Sequence, residues 1–170
     1  MLIILEGVDG AGKTTFAKEL LHEMHGEATI RHLGPPEGDP LVECLQALRG
    51  YRPRRQKHLI IDRLHLGELI YGPIYRGESK LDGNTGVIEQ RINTLGGLLV
   101  HMDVPLDVIE ERVGVRGDDY VKMKDLAQIH RRYLEVVGAI TDVPTITIDS
   151  RNVGALPQVL HYARLLEDAA

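Results

Sequence analysis

Residues 2–15 read LIILEGVDGAGKTT, and this stretch decides the fold. Leu2 to Leu5 is a short, continuous apolar run, the pattern of a strand buried on both faces of a parallel sheet. It runs straight into Gly7-x4-Gly12-Lys13-Thr14, a spacing that brings backbone amides close to phosphates in conformations a Cβ would forbid. The segment from Thr14 to Met24 then has the character of a helix, whose positive N-terminal end faces the same point. Strand, glycine turn and helix in that order predict a polyphosphate site. Gly7, Gly10, Ala11, Gly12, Lys13, Thr14 and Thr15 are its candidate ATP contacts, with the Lys13 amine bridging β- and γ-phosphates and the Thr14 hydroxyl on Mg2+.

Outward from that stretch, the pattern repeats. Strands are expected at 28–33, 58–61, 98–104 and 145–148, and helices at 40–48, 87–95, 105–113, 126–137 and 156–166. Between them lies a helical stretch after Arg63, expected to break at Gly72-Pro73. Strands alternating with helices predict an α/β fold with a five-stranded parallel sheet covered on both faces. Residues 1–170 read as a single domain, with no internal repeat or linker.

Composition narrows the class further. With 43% hydrophobic and 26% charged residues, the chain reads as an ordinary globular protein. A single Phe and no Trp leave the core to Leu, Ile and Val. The net charge of -5 argues against a nucleic-acid coat, and Arg52-Pro53-Arg54-Arg55-Gln56-Lys57 reads as a solvated basic loop. Cys44 is alone, which excludes an intrachain disulfide and a thiolate zinc site and fits a reducing cytoplasm. The apolar run at 1–5 is too short for a secretion signal, and no stretch approaches the roughly 20 apolar residues of a membrane span.

Two further features carry chemistry. Asp9 sits among groups that attract anions, where a carboxylate repels a γ-phosphate unless it turns to another partner such as a sugar hydroxyl; otherwise it is a loop acid bonded to its own backbone. Asp62-Arg63 ends the third strand, on the rim where ligands of open parallel sheets bind, and an arginine there can grip a phosphate bidentately. Farther along, Arg112 and Arg116 lie on a segment interrupted by Gly114 and Gly117. Mobile arginines that close over a transferring phosphoryl group are worth roughly 10³ to 10⁵ in rate.

Glu6-Gly7-Val8-Asp9-Gly10-Ala11-Gly12-Lys13-Thr14-Thr15 matches, at every specified position, the loop Glu-Gly-x-(Asp/Glu)-x-x-Gly-Lys-Thr-Thr of the thymidylate kinase family. The chain resembles that group of nucleoside monophosphate kinases over essentially its whole length. The resemblance implies a three-layer P-loop kinase fold with an arginine-bearing lid, and transfer of the ATP γ-phosphoryl group to a deoxynucleoside monophosphate, dTMP or a related pyrimidine. It implies that Asp9 contacts the acceptor's 3'-hydroxyl and that Arg63, in a motif like Asp-Arg-(Tyr/His), holds its phosphate. Tyr71 and Arg76 coincide with family residues on the acceptor side. Lys13, Arg63 and Arg116 are thus the expected catalytic residues. Arg112 and Arg151 are expected near ATP, and Asp62 near Mg2+ through water. Members are commonly dimers.

The match is incomplete. Gly67 stands for a serine, Leu64 for an aromatic or imidazole, and the loop Leu33-Gly34-Pro35-Pro36-Glu37 lacks the family's arginine, leaving Pro35 and Glu37 as acceptor contacts of unknown base preference. His32 reads as a strand-end histidine. The lid also looks like that of deoxyribonucleoside kinases, which phosphorylate a 5'-hydroxyl, but the Glu-Pro those enzymes carry after the second strand is missing. A phosphate-binding module or a kinase acting on DNA is the remaining alternative.

Overall fold

A computed structural model describes residues 1–54, 57–81, 83–116, 121–140 and 142–170, with the side chain of Arg116 outside the description. The strands are β1 (Leu2–Glu6), β2 (Ala28–His32), β3 (His58–Asp62), β4 (Gly97–Met102) and β5 (Thr145–Ile148). The helices are α1 (Lys13–Glu23), α2 (Pro40–Leu48), α3 (Leu66–Arg76), α4 (Thr85–Thr94), α5 (Leu106–Arg116), α6 (Leu126–Ala139) and α7 (Ala155–Ala169). A 3-10 turn, Met123–Asp125, leads into α6. All strand pairs are parallel, in the order β2-β3-β1-β4-β5.

Apolar runs explain that order. β1 and β4 are buried along their whole length, as strands covered on both faces must be, whereas β2 is a half-exposed edge. The register sets Leu5 beside Asp62 and Glu6 beside His101, so the carboxyl ends of the three middle strands finish at one level. Successive strands are laid to one side of β1 and then to the other, and the crevice at this reversal is where an open sheet receives its ligand.

The break expected at Gly72-Pro73 does not occur, since α3 runs through Pro73 to Arg76. A proline removes one backbone hydrogen bond. Here burial of Leu66, Glu68, Ile70 and Gly72, and packing of α3 on α6, hold the helix together. Gly72 allows the close approach of the following turn, since a Cβ there would lie 2.8 Å from the Glu78 carbonyl oxygen. Among the described residues, no helix is long and apolar enough to cross a membrane.

Candidate active site

The glycine turn adopts the geometry its spacing predicts. Gly12 takes the left-handed conformation (φ 91°) as the N-cap of α1, and Gly7 (φ 151°) lies so near β4 that a Cβ would stand 2.7 Å from the Met102 carbonyl oxygen. The Lys13 ammonium is buried inside the loop, donating to the carbonyls of Gly7 (2.6 Å) and Val8 (2.9 Å). Thr14 lies in the first turn of α1 and its Oγ1 donates to Asp62 Oδ2 at 2.7 Å, joining α1 to the end of β3. The other Asp62 oxygen, Oδ1, is buried without a partner.

From the lid side, Arg112 of α5 donates to the Gly10 carbonyl at 2.9 Å. From the loop after β5, Ser150 Oγ donates to the Ala11 carbonyl at 3.0 Å. The Ser150 contact is a tether between segments far apart in sequence, with no local signal to announce it. Arg151 lies nearby but is held by Asp149 through Nη2 to Oδ2 at 2.6 Å, a guanidinium contact that lowers the Asp149 carboxyl below its usual range. Arg116 forms the end of α5; its side chain, with Gly117, Asp118 and Asp119, lies outside the described residues.

Asp9, Arg63 and Tyr71 meet beside the glycine turn. Arg63 sits in the left-handed region (φ 70°), a conformation that L side chains disfavour. Glu6 enforces it: its fully buried carboxylate, through Oε1, accepts from the backbone amides of Leu64 (2.8 Å) and Leu66 (3.2 Å), while the Arg63 amide donates to the Leu5 carbonyl. Burial, the foremost influence, pushes the Glu6 carboxyl above the ordinary glutamate value, with His65 and the two amides opposing it. The bend aims the Arg63 guanidinium at Asp9, and the two form an ion pair. Tyr71 donates to the second Asp9 oxygen at 2.9 Å. Its ring stacks on Tyr75 and meets Tyr133 edge-on, and burial raises its hydroxyl pKa.

Beyond this pair, Glu68 is buried and paired with Arg76, with a second hydrogen bond from the Lys80 amide at 3.0 Å. The wall opposite comes from Pro35, Pro36 and, in α2, Glu43 and Cys44, the last two missed in the sequence because nothing local marks a cleft-facing helix. Glu37 is exposed and does not line the cleft. His32, read above as a strand end, does line it, with Nδ1 3.2 Å from Asp62 Oδ2. The cleft is continuous from Arg151 to Arg76 and encloses about 1120 Å³. Among the described residues, no group of three or more His, Cys, Asp or Glu side chains could hold a metal ion.

In the basic run Arg52, Arg54 and Lys57 are exposed, as a solvated loop requires, and the Arg54 guanidinium also donates to the carbonyls of Glu167 (3.1 Å) and Asp168 at the end of α7. Arg55 and Gln56 lie outside the described residues.

No family model matches the chain. The SPbeta prophage-derived uncharacterized protein YorR of Bacillus subtilis strain 168 is 30% identical over 140 residues, covering 80% of this chain and 81% of YorR. The chain belongs to the YorR family. A crystal structure of YorR, in complex with phosphorylated GDP, superposes with a TM-score of 0.72 at 25% identity, over 98% of this chain and 96% of that one. The thymidylate kinase of Cupriavidus metallidurans is 26% identical over 84% of each chain. Deoxyadenosine kinase of M. mycoides with bound dATP shares the fold, with a TM-score of 0.63 at 17% identity over 95% of this chain and 97% of that one. The parallel sheet, the glycine turn and the surrounding helices are therefore those of the P-loop nucleotide kinases.

Proposed function

We propose that the protein is a thymidylate kinase-like enzyme that transfers the γ-phosphoryl group of ATP to the 5'-phosphate of a deoxynucleoside monophosphate, dTMP or a related pyrimidine. The observation that carries this reading is the Asp9–Arg63 ion pair beside the phosphate loop, a phosphate-gripping cation next to a hydroxyl-accepting acid in the same cleft as Lys13. The identity to thymidylate kinase supports it.

In this reading the loop amides of Gly7, Gly10, Ala11 and Gly12 cradle the ATP phosphates with Lys13, Thr14 and Thr15, and Arg112 and Arg151 border the nucleotide. Mg2+ fits the end of β3: Thr14 offers a hydroxyl, and Asp62 has a buried, unpartnered carboxylate oxygen suited to a metal-bound water. Such an ion neutralises the phosphates' charge. Arg63 holds the acceptor phosphate, Asp9 its 3'-hydroxyl, and Tyr71, Pro35, Arg76 and Glu68 border the base. Arg116 closes from the lid. A phosphate oxygen is already an adequate nucleophile, so positioning and charge neutralisation suffice. We expect one domain, a homodimer and a cytoplasmic setting, with no membrane or nucleic-acid partner.

The test is ADP release from pure protein, ATP and Mg2+ with each of the four deoxynucleoside monophosphates. Turnover fastest with dTMP supports the proposal, and no turnover of any monophosphate overturns it.

A further inference from the structure

The strands begin on the side of the sheet opposite the phosphate loop, and a second cavity opens there. It encloses about 350 Å³ between Gly50, Tyr51, Arg52 and Pro53, in the loop leading to β3, and Arg91 and Leu95 at the end of α4. That volume lies at the lower end of small-molecule sites, roughly 300 to 1,000 Å³. Tyr51 and Leu95 are each 5% exposed, whereas both arginines are exposed. An apolar bed is thus flanked by two cations, and among the described residues no acid lines it.

Helix ends are the ordinary reason for arginines at such an edge, because α2, α4 and α7 all finish here and their last carbonyls attract cations. Other groups already serve them. Arg31 donates to the carbonyls of Ala47 and Arg49 at the end of α2, the latter at 3.2 Å, and Arg54 donates to those of Glu167 and Asp168 in α7. The end of α4 closes on itself: the Leu95 amide donates to the Arg91 and Ile92 carbonyls at 3.2 and 3.1 Å, and the Gly96 amide to that of Asn93 at 3.0 Å. Among the described residues, the guanidiniums of Arg52 and Arg91 have no hydrogen-bond or ion-pair partner.

We infer that this cavity is a second anion site, one that binds a phosphate monoester. Two guanidiniums on one cavity can share a phosphate dianion through forked, charge-assisted hydrogen bonds. The carbon body of an ester then covers Tyr51, Pro53 and Leu95, which inorganic phosphate would leave bare. The chain's net charge of -5 opposes such a ligand only weakly, since salt at physiological strength screens charges beyond about 8 Å. None of these residues lines the cleft, so the site stands apart from the kinase reading.

The test is an NMR titration of the full chain at fixed ionic strength, with inorganic phosphate and phenyl phosphate as probes. The amide signals of Gly50, Arg52, Arg91 and Leu95 should move along saturating curves. Phenyl phosphate should half-saturate them at a concentration about fivefold lower, the gain from burying roughly 40 Å² of apolar surface. Arg52→Gln and Arg91→Gln keep a hydrogen-bonding side chain but remove the charge, and each should weaken both probes roughly tenfold, the scale of one charge-assisted contact. In the same spectra the Gly10 and Gly12 amides report on the phosphate loop, and their curves should be unchanged in both variants, which also shows the fold intact. Absence of saturation at the four amides, or equal binding by the double variant, would overturn the site. Equal half-saturation by the two probes would overturn its assignment to esters. Silence at Gly10 and Gly12 with saturation at the four amides would count against the phosphate loop and support this site.

Discussion

Arg63 closes on Asp9 across the mouth of the phosphate loop, so the acid placed among anion-binding amides is neutralised by the cation that follows β3. Tyr71 completes the contact from α3, and with Tyr133 and His101 behind it the pair rests on a packed aromatic wall. The electrostatic problem of a carboxylate in a phosphate site is thereby resolved within the protein, before any ligand arrives.

If Asp9 serves the acceptor, Asp9→Asn should raise the KM for the acceptor at least tenfold more than the KM for ATP. Equal loss for both substrates in steady-state kinetics would assign Asp9 to shaping the loop. Tyr71→Phe removes one hydrogen bond to the same carboxylate and should cost about 1 kcal/mol, a factor near five in acceptor affinity by calorimetry.

Lys13 is buried among loop carbonyls. Lys13→Ala should lower transfer by at least on the order of 10³-fold, the scale of a lost electrostatic contact to a transition state. Circular dichroism should show the fold intact, and near-wild-type turnover would defeat the assignment of the loop.

Glu6 governs Arg63 through the backbone. Glu6→Leu strands the amides of Leu64 and Leu66 and should destabilise by about 2 to 6 kcal/mol, given roughly 1 to 3 kcal/mol for each buried group left unpaired. Glu6→Gln keeps an oxygen for both amides. Its effect should depend on pH in a definite sense. The folded-state pKa of Glu6 is raised, so the stability it contributes is complete below the unfolded glutamate value and is lost as pH rises through the folded value. The neutral amide escapes that loss. Melting temperatures measured from pH 4.5 upward should thus move in favour of Glu6→Gln, and a constant difference across the range would contradict this.

Arg54 caps the carbonyl end of α7. Arg54→Ala should cost about 0.3 to 1 kcal/mol, an ordinary value for a cation at a helix C-terminus, and lower Tm by up to a few degrees without changing kinetics. High salt should shrink the difference.

The sheet was legible in the sequence because each strand announces itself through its own neighbours, as Leu2 to Leu5 does by being apolar throughout. The glycine loop was legible for the same reason: its conformation demands residue types within eight positions. Contacts that bind distant segments carry no such mark. Ser150 on the Ala11 carbonyl, Glu6 under the Arg63 bend and His32 beside Asp62 each join segments that only the parallel register brings to one rim. The persistence of α3 through Pro73 belongs to the same class, because burial against α6 overrode a local preference.

One oxygen, Asp62 Oδ2, serves both the Thr14 hydroxyl and the His32 imidazole. An atom shared in this way makes the two halves of the cleft thermodynamically dependent: whatever tightens its hold on one neighbour changes its hold on the other. Asp62→Asn should therefore disturb the Thr14 and His32 sides of the cleft together, because one atom anchors both.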